Sequence, residues 1–366
     1  MLKLLGDGLV NALSWGNMLM IVLGVAIGNV VGALPGLSPT MAVAVALPVT
    51  FVLSPVASIA FLMGIAKGGT CGCGLTSIAI GIPGIPAATC TIMDGYPLMK
   101  AGKGRKAMQM AVYASCIADA MSDIVMILAC VPLASVAMRF GPPELTALFA
   151  FSLVTIGGVT GDQPLKGLLS AAVGLFLATV GIDPISGSPR FAFGSINLMG
   201  GFSVIPVLIG LYAVPEILDQ IIRMVREPQT TSGTRESRKP DTSRVTARDL
   251  RTCFPAILRG GVIGTLVGAI PGIGSSVGAF VTYTETKRAS KHPELFGNGA
   301  LEGVAASEAG NSAVNGANLI PLLTLGIPGE TVAAVLLGAF TIHGLHPGPL
   351  LIQQHGPLIY TMFAAM

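Results

Sequence analysis

Glu308, Asn311, Asn315 and Asn318 follow one another at spacings of 3, 4 and 3 within the otherwise apolar stretch Leu301 to Asn318. On a helix those spacings put one carboxylate and three amide side chains on a single face. Their oxygens would suit a coupling sodium ion, and the glutamate could equally carry a proton, since ionisable groups inside a membrane segment are functional by default. Hydrogen bonding between packed helices is the competing use of each asparagine. A second set of candidate groups sits at two Pro-Gly breaks in apolar sequence. One holds Pro35, Gly36, Ser38 and Thr40; the other holds Pro271, Gly272, Gly274, Ser275 and Ser276. A helix that restarts after such a break has first N–H groups without internal partners and the positive end of its dipole facing outward. Together they make a place for an anionic group, to which the hydroxyls add donors. Singly, each hydroxyl is more readily a helix cap than a ligand; its recurrence in both halves favours a shared substrate site.

Fewer roles fall to the remaining polar residues. Asp119 and Asp123 lie at i and i+4 on an apolar helix. They are expected to pair with Lys166 or Arg139 or to line a vestibule, a proton relay being the weaker option. Lys67, beside a run of glycines, could attract a carboxylate substrate or extend its ammonium to the interface. Cys71 and Cys73 have no second pair and no neighbouring histidine and read as packing residues. His343, His346 and His355 complete no metal signature. There is no P-loop, dinucleotide fingerprint or hydrolase elbow. No cofactor, no metal, no nucleic-acid partner and no enzymatic activity are expected.

The elements that must position these groups are membrane helices. Hydrophobic residues make up 52% of the chain and charged residues 11%, against about 25% charge in soluble domains. No charged side chain occurs between Asp7 and Lys67, and long uncharged runs recur thereafter. A bilayer span takes about 20 apolar residues, and the absence of alternation in these runs points to helices rather than a barrel. Lys67 to Gly74 is too rich in glycine for an ordinary helix, and Asp94-Gly95-Tyr96-Pro97 reads as a turn. Four helical candidates follow near 107–138, 143–161, 165–182 and 199–222. The basic loop of Lys100, Lys103, Arg105 and Lys106 and the polar segment 223–252 both belong on the cytoplasmic side by the positive-inside rule.

The core Gly32-Ala33-Leu34-Pro35-Gly36 returns as Gly268-Ala269-Ile270-Pro271-Gly272, and each copy is followed by a second helix break, Gly81-Ile82-Pro83-Gly84 or Gly326-Ile327-Pro328-Gly329. Equivalent loops carry opposite charge bias. The expected fold is therefore all-α, a polytopic membrane protein with two related, inverted repeats containing broken or re-entrant helices. Residues 1–222 form the first repeat, 223–252 a cytoplasmic linker, and 253–366 a second repeat. The second half lacks counterparts for about 115 residues of the first, so symmetry alone predicts a truncated chain.

The ordered motifs Gly32 to Thr40, Gly81 to Gly84, Asp94 to Pro97, Ala269 to Gly274, Lys291 to Glu294, Glu302 to Ala306 and Ile320 to Gly329 resemble the large membrane subunit of the tripartite tricarboxylate transporters, the TctA family. The resemblance covers essentially the whole chain. It implies secondary uptake of carboxylates across a bacterial inner membrane. It also implies a small membrane subunit and a periplasmic solute-binding protein as partners. The chain departs from the family's pattern at Gly72 to Leu75, Gly81, Ser307 and Ser312, which bears on substrate identity. The expectation is a binding-protein-dependent transporter subunit embedded in the lipid bilayer and driven by sodium ions or protons. Its rivals are an intramembrane metal enzyme using Glu302, Glu308 and the histidines, and a channel-like subunit without concentrative uptake.

Overall fold

Small polar residues followed by proline set where several helices begin. In the computed structural model, which describes residues 2–159, 164–183, 186–226 and 241–366, Ser38 Oγ accepts from the Met41 N–H at 3.2 Å and Ser54 Oγ from the Ala57 N–H at 3.3 Å. Pro39 and Pro55 then occupy first helical positions, where a missing N–H costs nothing. Thr246 and Asp249 exchange bonds in a full capping box.

The chain runs through α1 (Leu2–Ala12), α2 (Trp15–Gly32), α3 (Pro39–Ala46) with a 3-10 extension Leu47–Val52, α4 (Pro55–Ile80), α5 (Ala88–Lys100) and α6 (Gly104–Ala137). Next come α7 (Pro142–Val159), α8 (Pro164–Ala178), a two-residue antiparallel pair β1 (Gly181–Ile182) and β2 (Pro189–Arg190), α9 (Ile196–Met199), α10 (Val204–Leu208), a π-turn Ile209–Ala213 and α11 (Val214–Arg226). The remaining helices are α12 (Ala247–Gly268), α13 (Gly274–Ala289), α14 (Leu301–Ala317), α15 (Leu319–Leu325), α16 (Thr331–Ile342) and α17 (Leu351–Ala365). The fold is all-α, and α2, α4, α6 and α12 are each long and apolar enough to cross a bilayer. The central part of the expected linker, 227–240, and residues 160–163 lie outside the described residues.

Two helix pairs organise the core. Gly24, Gly28 and Gly32 of α2 meet the backbone of α4: a Cβ on Gly28 would press on the Ile65 carbonyl and lie 2.8 Å from the Gly69 nitrogen. Gly260, Gly264 and Gly268 of α12 meet α14 in the same manner, with a Cβ on Gly264 falling 2.6 Å from the Gly310 carbonyl oxygen and 2.8 Å from the Ala313 methyl. Small residues at helical spacing bring backbones this close in lipid, where burial of apolar surface supplies no attraction between helices. Helix α14, buried from Gly303 to Ala317, is the hub, packing on α4, α5, α6, α12 and α13.

The structure corrects three local expectations. Residues 67–74 do not interrupt a helix; they are the middle of the 26-residue α4. Glycine propensity is measured in water, whereas here Gly68 and Gly72 face α2, where a Cβ on Gly72 would sit 2.5 Å from the Asn29 carbonyl oxygen. Close backbone contact outweighs the roughly 1 kcal/mol intrinsic cost of each glycine. The candidate helix 199–222 starts only at Val204 and passes through the π-turn before α11, where Pro215 lacks an amide donor. Asp94 to Pro97 lies within α5 rather than in a turn.

Asp94 is held in place by its bonds rather than by a turn. Its buried carboxylate accepts the N–H groups of Gly297, Gly299 and Ala300 at 2.8, 2.9 and 2.8 Å, and the Tyr283 hydroxyl at 2.8 Å. It thereby ties α5 to the loop that launches α14. Asp94→Ala leaves those donors unsatisfied, and with about 1–3 kcal/mol for each buried group the variant is expected to unfold well below the parent on heating in detergent. An unchanged midpoint would show the latch to be dispensable.

The two basic segments meet. The Arg105 N–H donates to Asp241 Oδ2 at 2.6 Å, the Val245 N–H to Gln109 Oε1 at 3.0 Å, and Lys106 pairs with Asp249 at 2.8 Å. The Ser243 hydroxyl and the Arg105 N–H hold the Asp241 carboxyl below its usual range. The loop before α6 and the segment before α12 therefore share one face of the molecule.

Candidate functional site

The backbone at the two Pro-Gly breaks takes the same shape. Gly36 has φ +87° and Gly272 has φ +85°, a left-handed turn that lets α2 end and α3 restart, and α12 end and α13 restart. The segment Pro328-Gly329 then draws the breaks together. The Gly272 N–H donates to the Gly329 carbonyl at 2.8 Å, and the Thr40 and Thr331 hydroxyls share a hydrogen bond of 3.1 Å.

Between them lies a cavity of about 770 Å³. The first break contributes Ser38, Pro39 and Thr40, and the second contributes Gly272 through Ser276. Asn315 of α14, Thr70 of α4 and residues Pro328 to Val332 complete that side, while Leu211, Tyr212, Pro215, Glu216 and Asp219 close the other. Pro35, Gly36 and Pro271 shape the turns without lining the space. Gly81 and Gly326 are left-handed C-terminal caps of α4 and α15, with φ +72° and +75°. Pro83 lies in the segment after α4, outside the lining, and Gly84 packs on the buried side chain of Cys73.

The candidate hydroxyls do not act alike. Ser38 is a cap, its oxygen engaged by the Met41 N–H. At the second break the Ser275 N–H, in the first turn of α13, donates to Glu330 Oε2 at 3.2 Å, and Asn318 Nδ2 donates to Glu330 Oε1 at 2.8 Å. A carboxylate from the chain itself thus already sits at one helix start, as the dipole favours. Sequence reasoning passed over Glu330, although it is the only Asp, Glu, Lys or Arg between residues 309 and 366.

The polar file on α14 divides among different surroundings. Asn318 holds Glu330, Asn315 faces the cavity, and Asn311 is fully buried with neither side-chain atom hydrogen-bonded. Glu308, also buried, accepts from Thr91 Oγ1 at 2.5 Å and Ser115 Oγ at 3.2 Å, in space left by Gly74 of α4. Lys67 pairs with Asp119 at 2.8 Å and also with Asp123, across α4 and α6. Asp119 and Asp123 thus pair with Lys67, rather than with the expected Lys166 or Arg139.

Residues 18–366 match the tripartite tricarboxylate transporter TctA family. The chain belongs to that family. As a TctA-family chain it is a multi-pass membrane subunit of a tricarboxylate transporter. It is 36% identical over 364 residues to an uncharacterized 52.8 kDa protein in the TAR-I ttuC' 3' region of Agrobacterium vitis, covering 98% of this chain and 70% of that protein. A second Agrobacterium vitis protein, from the TAR-II ttuC' 3' region, is 44% identical over 103 residues, covering 28% of this chain and 43% of its own length. No solved structure matches the chain.

Charge around the cavity is one-sided. Glu216, Asp219 and Glu330 are among the described lining residues, and no Lys, Arg or His is.

Proposed function

We propose that this TctA-family chain is the large transmembrane subunit of a binding-protein-dependent secondary transporter that takes up tricarboxylates or related carboxylates across a bacterial inner membrane. The observation that carries this reading is the convergence of both Pro-Gly breaks on one cavity. Substrate carboxylates are received at the starts of α3 and α13 by amide N–H groups other than those taken by Ser38 and Glu330, and by the hydroxyls of Thr40, Ser275 and Ser276. The two halves act as related, inverted repeats that rock about this fixed site. A periplasmic binding protein delivers the substrate, and a small membrane subunit completes the assembly.

Uptake is driven by sodium ions or protons, for which the α14 segment supplies a buried carboxylate and buried amides. Glu308, Asn311, Asn315 and Asn318 form the coupling file, leading from the cavity into the core of α14. Uptake into membrane vesicles carrying the chain, its small subunit and its binding protein tests the reading against a panel of carboxylates, with and without a sodium or proton gradient. Concentrative uptake of at least one tricarboxylate is expected. Flux that never exceeds equilibration would contradict it.

Glu308 is expected to matter more for accumulation than for folding. Glu308→Gln keeps the shape and the Thr91 and Ser115 contacts while removing the charge. Its concentrative uptake should fall at least about tenfold, a change of roughly 1.4 kcal/mol, with facilitated exchange of labelled for unlabelled substrate retained. Equal loss of exchange and accumulation would assign Glu308 a structural role.

A further inference from the structure

Glu330 stands where a helix cap would stand but does not cap. It immediately precedes α16, and its side chain makes no bond to the first turn of that helix. It reaches across to the second break instead. There Oε2 accepts the Ser275 N–H at 3.2 Å, and Oε1 accepts from Asn318 Nδ2 at 2.8 Å. The residues on either side of it are tied to the breaks as well. The Gly329 carbonyl accepts the Gly272 N–H at 2.8 Å, and Thr331 shares a hydrogen bond with Thr40 of the first break. Gly329-Glu330-Thr331 therefore spans both breaks, with its carboxylate at the start of α13.

The corresponding position in the first half carries no charge. Gly81-Ile82-Pro83-Gly84 is followed by Ile85, whereas Gly326-Ile327-Pro328-Gly329 is followed by Glu330, and both residues line the cavity. The resident carboxylate is thus a property of one side of the cavity and not of the repeated motif. A substrate carboxylate received at the start of α13 comes within reach of Glu330. Two carboxylates that share a site do not both stay ionised; one takes up a proton. The other groups facing this space do not relieve the pair. Glu216 and Asp219 of α11 are acidic, Ser275 and Asn318 are neutral, and no Lys, Arg or His is among the described lining residues.

We propose that Glu330 is an affinity-determining residue of the cavity, an internal carboxylate that competes with substrate for the start of α13. Ionised, it holds the Ser275 N–H. Protonated, it yields that donor and gives its own O–H to an oxygen of the incoming carboxylate. One proton thus binds at Glu330 with each substrate anion. The proposal takes its substrate from the carboxylate-uptake reading above, whereas the hold of Glu330 on α13 exists without substrate.

Uptake of propane-1,2,3-tricarboxylate into vesicles carrying the chain, its small subunit and its binding protein tests the competition. The carboxyls of this probe stay ionised between about pH 7.5 and 8.5. Over that range the parent KM should rise several-fold, toward the limit of about tenfold per pH unit for one proton. Glu330→Gln keeps the shape but cannot ionise, so its KM should be lower at the alkaline end and should not follow the parent's rise. The same binding protein serves both chains, so the ratio of the two KM values isolates Glu330. Glu330→Asp keeps the charge and should restore the slope. A KM ratio that does not change with pH would overturn the proposal. The hold on α13 is read without substrate, from labelling of Ser276→Cys by a small thiol reagent after replacement of the six native cysteines. Compared at the same pH, labelling should be faster with Glu330→Gln than with Glu330, and the difference should shrink as the pH falls. If no carboxylate is taken up yet this difference persists, the transport reading fails and the hold of Glu330 stands. If uptake proceeds with parallel KM profiles, the transport reading stands and this inference fails, whatever the labelling.

Discussion

Gly272→Val is expected to lower carboxylate uptake by about 100-fold or more while leaving the amount of protein in the membrane nearly unchanged. Gly272 adopts φ +85°, where an L residue costs roughly 1–2 kcal/mol and a β-branched one more. Its N–H also makes the 2.8 Å bond to Gly329 that joins the second break to the Gly-Ile-Pro-Gly segment. A valine there either strains that turn or swings the start of α13 out of position, and the donors at Ser275 and Ser276 move with it. A displacement of about 1 Å in a positioned site can cost about 100-fold in rate. Gly36, at φ +87°, is expected to behave likewise in the first half. Insertion depends on the apolar runs, which neither change touches. Uptake into vesicles, normalised to immunodetected protein, checks the result, and normal transport by Gly272→Val would contradict the assignment of the break to the site.

Gly28→Leu is expected to have the largest effect on stability. A Cβ at this position already overlaps the Ile65 carbonyl and lies 2.8 Å from the Gly69 nitrogen, and these are backbone atoms that cannot rotate aside. Overpacking in a compliant core costs about 1–3 kcal/mol, and two helices held backbone to backbone have less room to adjust. The α2–α4 pair also carries the first break at its end, so separating the helices displaces Ser38 and Thr40. Unfolding in detergent, followed by helical signal on heating, should show a sharply lowered midpoint or no cooperative transition. Gly16→Ala is the control, since a Cβ there meets nothing within 4 Å; its midpoint should not fall. Equal behaviour of the two variants would show that α2 and α4 do not depend on this seam.

Much of the fold is legible because lipid narrows the choices. Long uncharged runs must be helices, and the glycines at 24, 28 and 32 and at 260, 264 and 268 announce close helix contacts through their spacing alone. Pro35-Gly36 and Pro271-Gly272 are readable as turns because a proline followed by glycine both ends one helix and permits the left-handed residue before the next. The failures have a common origin in contacts between distant segments. Residues 67–74 look like a broken helix when glycine is weighed against water; only the approach of α2 shows why a helix survives there. Asp94 looks like a turn residue until the N–H groups of Gly297, Gly299 and Ala300, more than 200 positions away, are seen to converge on it.

The site was legible in its parts rather than its assembly. That both breaks could receive an anion follows from helix ends; that they open on one cavity depends on the Gly272–Gly329 and Thr40–Thr331 bonds, which no local pattern reveals. Glu330 did leave a signal, as an isolated carboxylate between two uncharged stretches. Lys67, Asp119 and Asp123 were visible as intramembrane charges, but their mutual pairing rests on the crossing of α4 and α6 and could not be read from spacing.

The central claim is that one carboxylate site is built from both breaks, and substrate protection at both breaks at once tests it most directly. With the six native cysteines replaced, single Thr40→Cys and Ser276→Cys variants would be labelled by a small thiol reagent in vesicles at increasing tricarboxylate concentration. The account predicts that both positions are protected, with the same half-maximal concentration. Protection at one position alone, or at neither while uptake continues, would contradict it.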